Sequence, residues 1–223
     1  MKLFFRASIL SFAIATLFPG IARAQFSDIS GNPYEAEIKE AAAENIVSGF
    51  PDGTFRPDET VTREQAVSII VDAISSVSPV DLKENPSRSV RNFLDVPTDR
   101  WSAEKIAWAQ WNLFPRGSAT GNFRPEDPIK RAEPVVFLRR SAGLLEIKLG
   151  KESPALTFNE DPIEFTDVAG YEEELTLQMS AYCRVASPIN EEGDKFAPEK
   201  DATRDYTVDA IARTLNCAKA DPK

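Results

Sequence analysis

Two short phrases recur three times along this chain of 223 residues, and they restrict its fold more than any other feature. The first is Phe-x-Asp, written FSDIS at Phe26, FLDVP at Phe93 and FTDVA at Phe165. The second is a Phe-x-Pro run leading to an arginine: FRPDETVTREQ at Phe55, FRPEDPIKRAE at Phe123 and FAPEKDATRDY at Phe196. The interval from the opening Phe to the later Arg is 37, 38 and 39 residues in the three copies (26 to 63, 93 to 131, 165 to 204). Insertions therefore fall between units and not inside them. A repeat this short marks an array whose members bury their apolar faces against one another.

The units run over 25–76, 93–145 and 165–217. They are joined by linkers at 77–92 and 146–164, rich in Pro, Ser, Asn and charge, and followed by a tail at 218–223. In each unit an aromatic residue, Tyr34, Trp101 or Tyr171, precedes a first helix, and a turn leads to a second. The second helix carries one apolar stripe: Val67, Ile70, Val71 and Ile74 at i, i+3, i+4 and i+7, repeated by Val208, Ile211, Ala212 and Leu215. Unit two keeps Val135, Leu138 and Ala142 but has Arg139 in the remaining place, which predicts a wetter edge. Thr62 and Gln65 are spaced as a capping box, Thr203 can cap the third unit, and Lys130 stands in the second. The expected fold is all-α with short extended loop segments. Two short helices cannot offset the chain entropy of a unit this size, so the three helix-loop-helix units must pack together.

The stretch FPDGTF lacks the alternating carboxylates of a calcium loop and reads as a tight turn, with Gly49 and Gly53 supplying positive φ. The six repeated phenylalanines read as core. Among Trp101, Trp108 and Trp111, by contrast, one is a candidate for stacking on a sugar ring in a groove, and Trp101 is the one placed in the expected site.

Residues 1–24 have a basic start, a short apolar run and Ala22-Arg23-Ala24, which predicts an export signal cut after Ala24. No later run approaches the ~20 apolar residues of a membrane span, so no direct membrane insertion is expected after cleavage. Removing the signal's three cations from the chain's 26 leaves 23 against 35 acids, a net charge of −12. That balance argues against nucleic acid and anionic lipid surfaces as partners. Histidine is absent, which removes the commonest general base and metal ligand. No catalytic constellation, metal site or cofactor is expected.

Arg63, Arg131 and Arg204 each open a second helix, where the helix dipole disfavours a cation by about 0.3–1 kcal/mol. Local helix energetics does not explain a threefold recurrence. One reading pairs the arginines with the equally repeated acids Asp28, Asp95 and Asp167. The other makes them anion sites, in which a guanidinium fork beside helix-terminal N–H groups grips a carboxylate or phosphate. Cys183 and Cys217, both in unit three, fall near the ends of its two helices. In an oxidising compartment they are expected to form a disulfide, the alternative being two buried thiols.

FSDI followed by Tyr34, GFPDGTFRPDETVTREQ and a second helix resemble the S-layer homology (SLH) domain, whose usual wording is a Phe-x-Asp opening, a Gly-Tyr-x-Asp-Gly-x-Phe-x-Pro turn and a Thr-Arg-Ala-Glu helix start. PIKRAE keeps the Arg and Glu in unit two, and ATRDY keeps Thr-Arg in unit three. The third unit also looks similar to SLH proteins of cyanobacterial cell envelopes. The resemblance implies three tandem repeats in a pseudo-threefold, three-lobed assembly with grooves between neighbours. It further implies noncovalent binding of a cell-wall polysaccharide linked to peptidoglycan, often bearing a pyruvate ketal. Carried over, the family's arginine falls on Arg63, Arg131 and Arg204; Lys130, Thr62, Thr203 and Trp101 complete the expected polysaccharide-binding set. The expected protein is an exported, non-catalytic anchor in the periplasm or outer envelope. The rival readings are an adaptor that holds another envelope protein and an enzyme that acts on wall glycan.

Overall fold

The computed structural model describes residues 26–83, 93–113, 121–151 and 156–220. The expected export signal at 1–24 lies outside them. Six helices follow in chain order: α1 (Glu35–Ala43), α2 (Arg63–Val77), α3 (Ala103–Asn112), α4 (Ala132–Lys148), α5 (Tyr171–Ala181) and α6 (Arg204–Ala220). No sheet forms among the described residues, only three isolated bridges. The expected all-α class with short extended loop segments holds.

The start of α2 follows from its capping box. The Thr62 hydroxyl accepts from the Gln65 backbone N–H at 3.3 Å, and the Gln65 side chain accepts from the Thr62 N–H at 3.0 Å. Both apolar stripes are buried as expected. Arg139 is only half-buried on α4 and reaches Gln178. The opening and later phenylalanines pair ring against ring at 5.3, 5.3 and 5.1 Å, each pair closing one loop onto its helices.

The repeated aspartates clip these loops. Asp28 accepts from the N–H groups of Phe55 and Arg56, Asp95 from Phe123 and Arg124, and Asp167 from Phe196 and Ala197. In each case the second residue has positive φ, +61° at Arg56 and Arg124 and +57° at Ala197, a conformation L residues avoid. Two charge-assisted hydrogen bonds on adjacent N–H groups hold that turn in place. The reading that pairs these acids with the helix-opening arginines is thereby corrected. The turn expectation also needs amending. Gly53 does take φ +80°, but Gly49 is required by close approach, since a Cβ there would meet the Phe26 ring at 2.4 Å and the Thr54 carbonyl oxygen at 2.6 Å.

The extended residues before α2, α4 and α6 hydrogen-bond in a closed ring. The Val61 N–H donates to Ala202 O at 3.0 Å, Ala202 N–H to Ile129 O at 2.8 Å, and Ile129 N–H to Val61 O at 2.9 Å. All three side chains are fully buried. Around this ring α2, α4 and α6 touch one another, and each leans on the first helix of the next pair: α2 on α3, α4 on α5, α6 on α1. Cys183, just past α5, and Cys217, on α6, are disulfide-bonded with Cα atoms 5.9 Å apart.

Candidate functional site

The helix-opening arginines extend the ring. The Nε of Arg63 donates to Phe123 O at 2.8 Å, that of Arg131 to Phe196 O at 2.8 Å, and that of Arg204 to Phe55 O at 2.9 Å. Each guanidinium lies over the ring of the same phenylalanine, at 5.1, 5.1 and 4.6 Å from its centroid. The arginine of one helix pair thus grips the loop of the next. Carbonyl partners in that loop offset the unfavourable dipole of its own helix.

The third contact of each arginine differs. Arg63 forms an ion pair with Glu133. Arg131 is 4% exposed, donates to Ser187 O at 3.0 Å and stacks over the Tyr206 ring at 3.6 Å. Arg204 donates to Ser48 O at 3.1 Å, and burial pulls its pKa below the ordinary value.

A cavity of about 390 Å³ opens between the N-terminal ends of α6 and α1. Arg131, Thr203 and Lys200 line it together with Asn32, Asp58, Asp201, Glu191, Asp205 and Tyr206. Of the residues expected at the site, the structure brings Arg131 and Thr203 into this cavity. Lys130 stands at its edge, ion-paired to Asp201 at 2.6 Å. Arg63, Arg204 and Thr62 do not line it. Trp101 is 62% exposed, near the interface of α2 with α3, and does not line this cavity.

A polar network supports the cavity from behind. Glu191 accepts from the hydroxyls of Tyr34 at 2.8 Å and Ser187 at 2.6 Å and from Arg213 at 3.0 Å, while Arg213 also reaches Asp209 at 2.9 Å. Burial, reinforced by the Glu191 bond, raises the Tyr34 phenol well above its usual value. Burial pushes Tyr206 up to about 12. Both phenols stay neutral donors at physiological pH. The arrangement can bind polar groups of either sign at fixed positions.

Sequence reasoning did not find Asn32, Asp58, Lys200, Glu191, Asp205 or Tyr206. Asp205 and Tyr206 directly follow the repeated arginine, so their place at the helix start was readable. Lys200 and Glu191 sit in the third loop, where the wording departs from the other two copies and no signal marks them.

Residues 25–67 match the S-layer homology domain family. The chain is also similar to larger surface proteins. It is 27% identical to a cellulosome-anchoring protein of Acetivibrio thermocellus over 144 residues, 64% of this chain and 29% of that protein. It is 44% identical to the outer membrane protein SlpA of Thermus thermophilus over 64 residues, 28% of this chain and 7% of that protein. It is 27% identical to an S-layer protein of Bacillus licheniformis over 192 residues, 85% of this chain and 20% of that protein. The chain thus spans less than a third of the length of these curated relatives. Among the described residues, no helix is long and apolar enough to cross a membrane.

Proposed function

We propose that the chain is a module of three S-layer homology repeats, set about a pseudo-threefold axis, that anchors noncovalently to a peptidoglycan-linked wall polysaccharide. It acts in the periplasm or outer envelope without catalysing a reaction. The S-layer homology match over 25–67 and the likeness to cell-surface proteins support the anchoring role. The closed ring Val61–Ala202–Ile129 and the three arginine grips, each passing to the next helix pair, support the threefold arrangement.

The observation that carries the site is the cavity between α6 and α1, which gathers Arg131, Thr203 and Lys200 on its walls. Arg131 and Lys200 would meet an acidic group such as a pyruvate ketal, and Thr203 a sugar hydroxyl. Pull-down with purified sacculi, before and after mild acid removes ketals, tests the reading. Retention that drops after acid treatment is expected, and no retention on untreated sacculi would refute it. Release of soluble sugar would turn the reading toward an enzyme.

The adaptor reading has one observation in its favour. A cavity of about 230 Å³ lies on α3, lined by Phe93, Val96, Ala103, Ile106 and Ala107, and Leu94 in the same loop is exposed. Recovery of one stoichiometric envelope protein in place of sacculi would favour it.

A further inference from the structure

The two interfaces at which an acid directly follows the repeated arginine treat that acid differently. Between α2 and α3, the Glu64 N–H donates to Pro125 O at 3.1 Å, which sets Glu64 beside Glu126. Arg100 fills the space between these carboxylates, donating to both oxygens of Glu64 at 2.7 Å and to Glu126 at 3.0 Å. The Ser102 hydroxyl adds a bond to Glu64 at 2.5 Å. Burial alone would raise the Glu64 pKa, but the Arg100 fork and Ser102 hold it below the ordinary value.

Between α6 and α1 the frame is the same. The Asp205 N–H donates to Pro57 O at 3.1 Å, which sets Asp205 beside Asp58. The residue in the place of Arg100 is Asn32: the N–H of Glu35 donates to its carbonyl, as that of Ala103 does to Arg100. Asn32 donates to Asp205 at 2.9 Å with a neutral amide and makes no hydrogen bond to Asp58. The other donors to Asp205, the Thr203 hydroxyl and the Tyr206 N–H, are also neutral. The same two carboxylates therefore line the 390 Å³ cavity without the chain's own cation between them. A second polar feature belongs to this wall. Tyr206 is 2% exposed, lines the cavity, and its hydroxyl has no hydrogen-bond partner among the described residues.

We infer that the cavity between α6 and α1 takes a primary ammonium group of the wall polymer, held by Asp58 and Asp205 in the position Arg100 occupies between Glu64 and Glu126. The anionic group of the ligand meets Lys200 and Arg131, which line the same cavity, so the preferred ligand carries both charges. Two carboxylates flanking one cation are stabilising only when the cation is present, because neighbouring like charges otherwise repel. On this inference the interface between α2 and α3 is self-occupied and binds no such group. The inference rests on the anchoring reading and adds to it the charge of the ligand.

The test uses the whole chain and purified sacculi in two forms, untreated and with their amino groups acetylated. Wild type should bind acetylated sacculi at least tenfold more weakly. Asp58→Asn, at an exposed position, should bind untreated sacculi tenfold more weakly and lose the difference between the two forms. Asn32→Arg should supply the missing cation from within, so its melting temperature should hold or rise while sacculus binding is lost. Equal binding of wild type and Asp58→Asn to both forms would overturn the inference and leave the anchoring reading intact. Absence of wild-type binding to untreated sacculi would overturn both.

Discussion

Arg204→Ala should destabilise the whole molecule, because it cuts the one arginine grip that ties the last helix to the first loop. Arg204 donates to Phe55 O at 2.9 Å and Ser48 O at 3.1 Å and lies over the rings of Phe55 and Phe50 at 4.6 and 5.2 Å. Each hydrogen bond from a charged donor contributes about 1.5–3 kcal/mol, with the bond to the fully buried Phe55 at the upper end and that to the exposed Ser48 at the lower. The ring contacts add about 0.5–2 kcal/mol. Part of this is offset because a guanidinium is no longer desolvated, the same burial that lowers the Arg204 pKa. A net loss of about 3–4 kcal/mol follows, which for a chain of this size lowers Tm by roughly 6–15 °C. Thermal unfolding followed by circular dichroism measures it, and the transition should stay single because the ring couples all three helix pairs. Arg204→Lys keeps the charge but cannot make the two-point contact, so its loss should lie between wild type and alanine. A shift under about 3 °C for Arg204→Ala, or a low-temperature transition confined to one helix pair, would refute this account of the arginines.

Those arginines also show how far the sequence could be read. Their recurrence was visible and so was their helix-opening position, because both depend on wording within one unit. The partner they share was not visible, because it is a backbone carbonyl of a different unit, and backbone groups leave no mark in composition. Asp28, Asp95 and Asp167 matched the arginines in number and opposed them in charge, which made a pairing attractive. Their true partners are again backbone N–H groups, at residues whose positive φ only the folded chain displays. The Thr62–Gln65 capping box, the helical stripes and the buried phenylalanines were legible for the opposite reason, since each is a local pattern of side chains. The cavity falls between these cases. Arg131 and Thr203 were named from the repeat, but Asn32 matters because it replaces Arg100. That replacement becomes apparent only when the two loops are superposed through the hydrogen bonds that start α1 and α3.

The remaining predictions separate stability from binding. Gly49→Ala should cost about 1–3 kcal/mol, since its Cβ would overlap Phe26 and the Thr54 carbonyl; denaturant midpoints read this directly. Asp209 is pushed up by burial to about 7, above the roughly 3.9 of an unfolded chain, so the native state keeps a proton that the unfolded state releases. Its contribution to stability is therefore full below about pH 4 and falls as pH rises to about 7, and the gain from Asp209→Asn should be larger at about pH 7.5 than at about pH 4.5. Equal gains at both values would show that Arg213, 2.9 Å away, keeps Asp209 ionised throughout. Arg131 differs from Arg204 because it holds the ring and also lines the cavity. Arg131→Ala should lose stability like Arg204→Ala, through its bonds to Phe196 O and Ser187 O. It should also weaken sacculus binding at least tenfold at temperatures where it is folded. Arg204→Ala, outside the cavity, should keep sacculus affinity within about twofold. Comparing the two at matched fractions folded isolates the binding role, because their structural bonds are alike and only one of them faces the ligand. Equal affinities for sacculi would place Arg131 in the ring alone and leave Lys200 as the cation that meets the polymer.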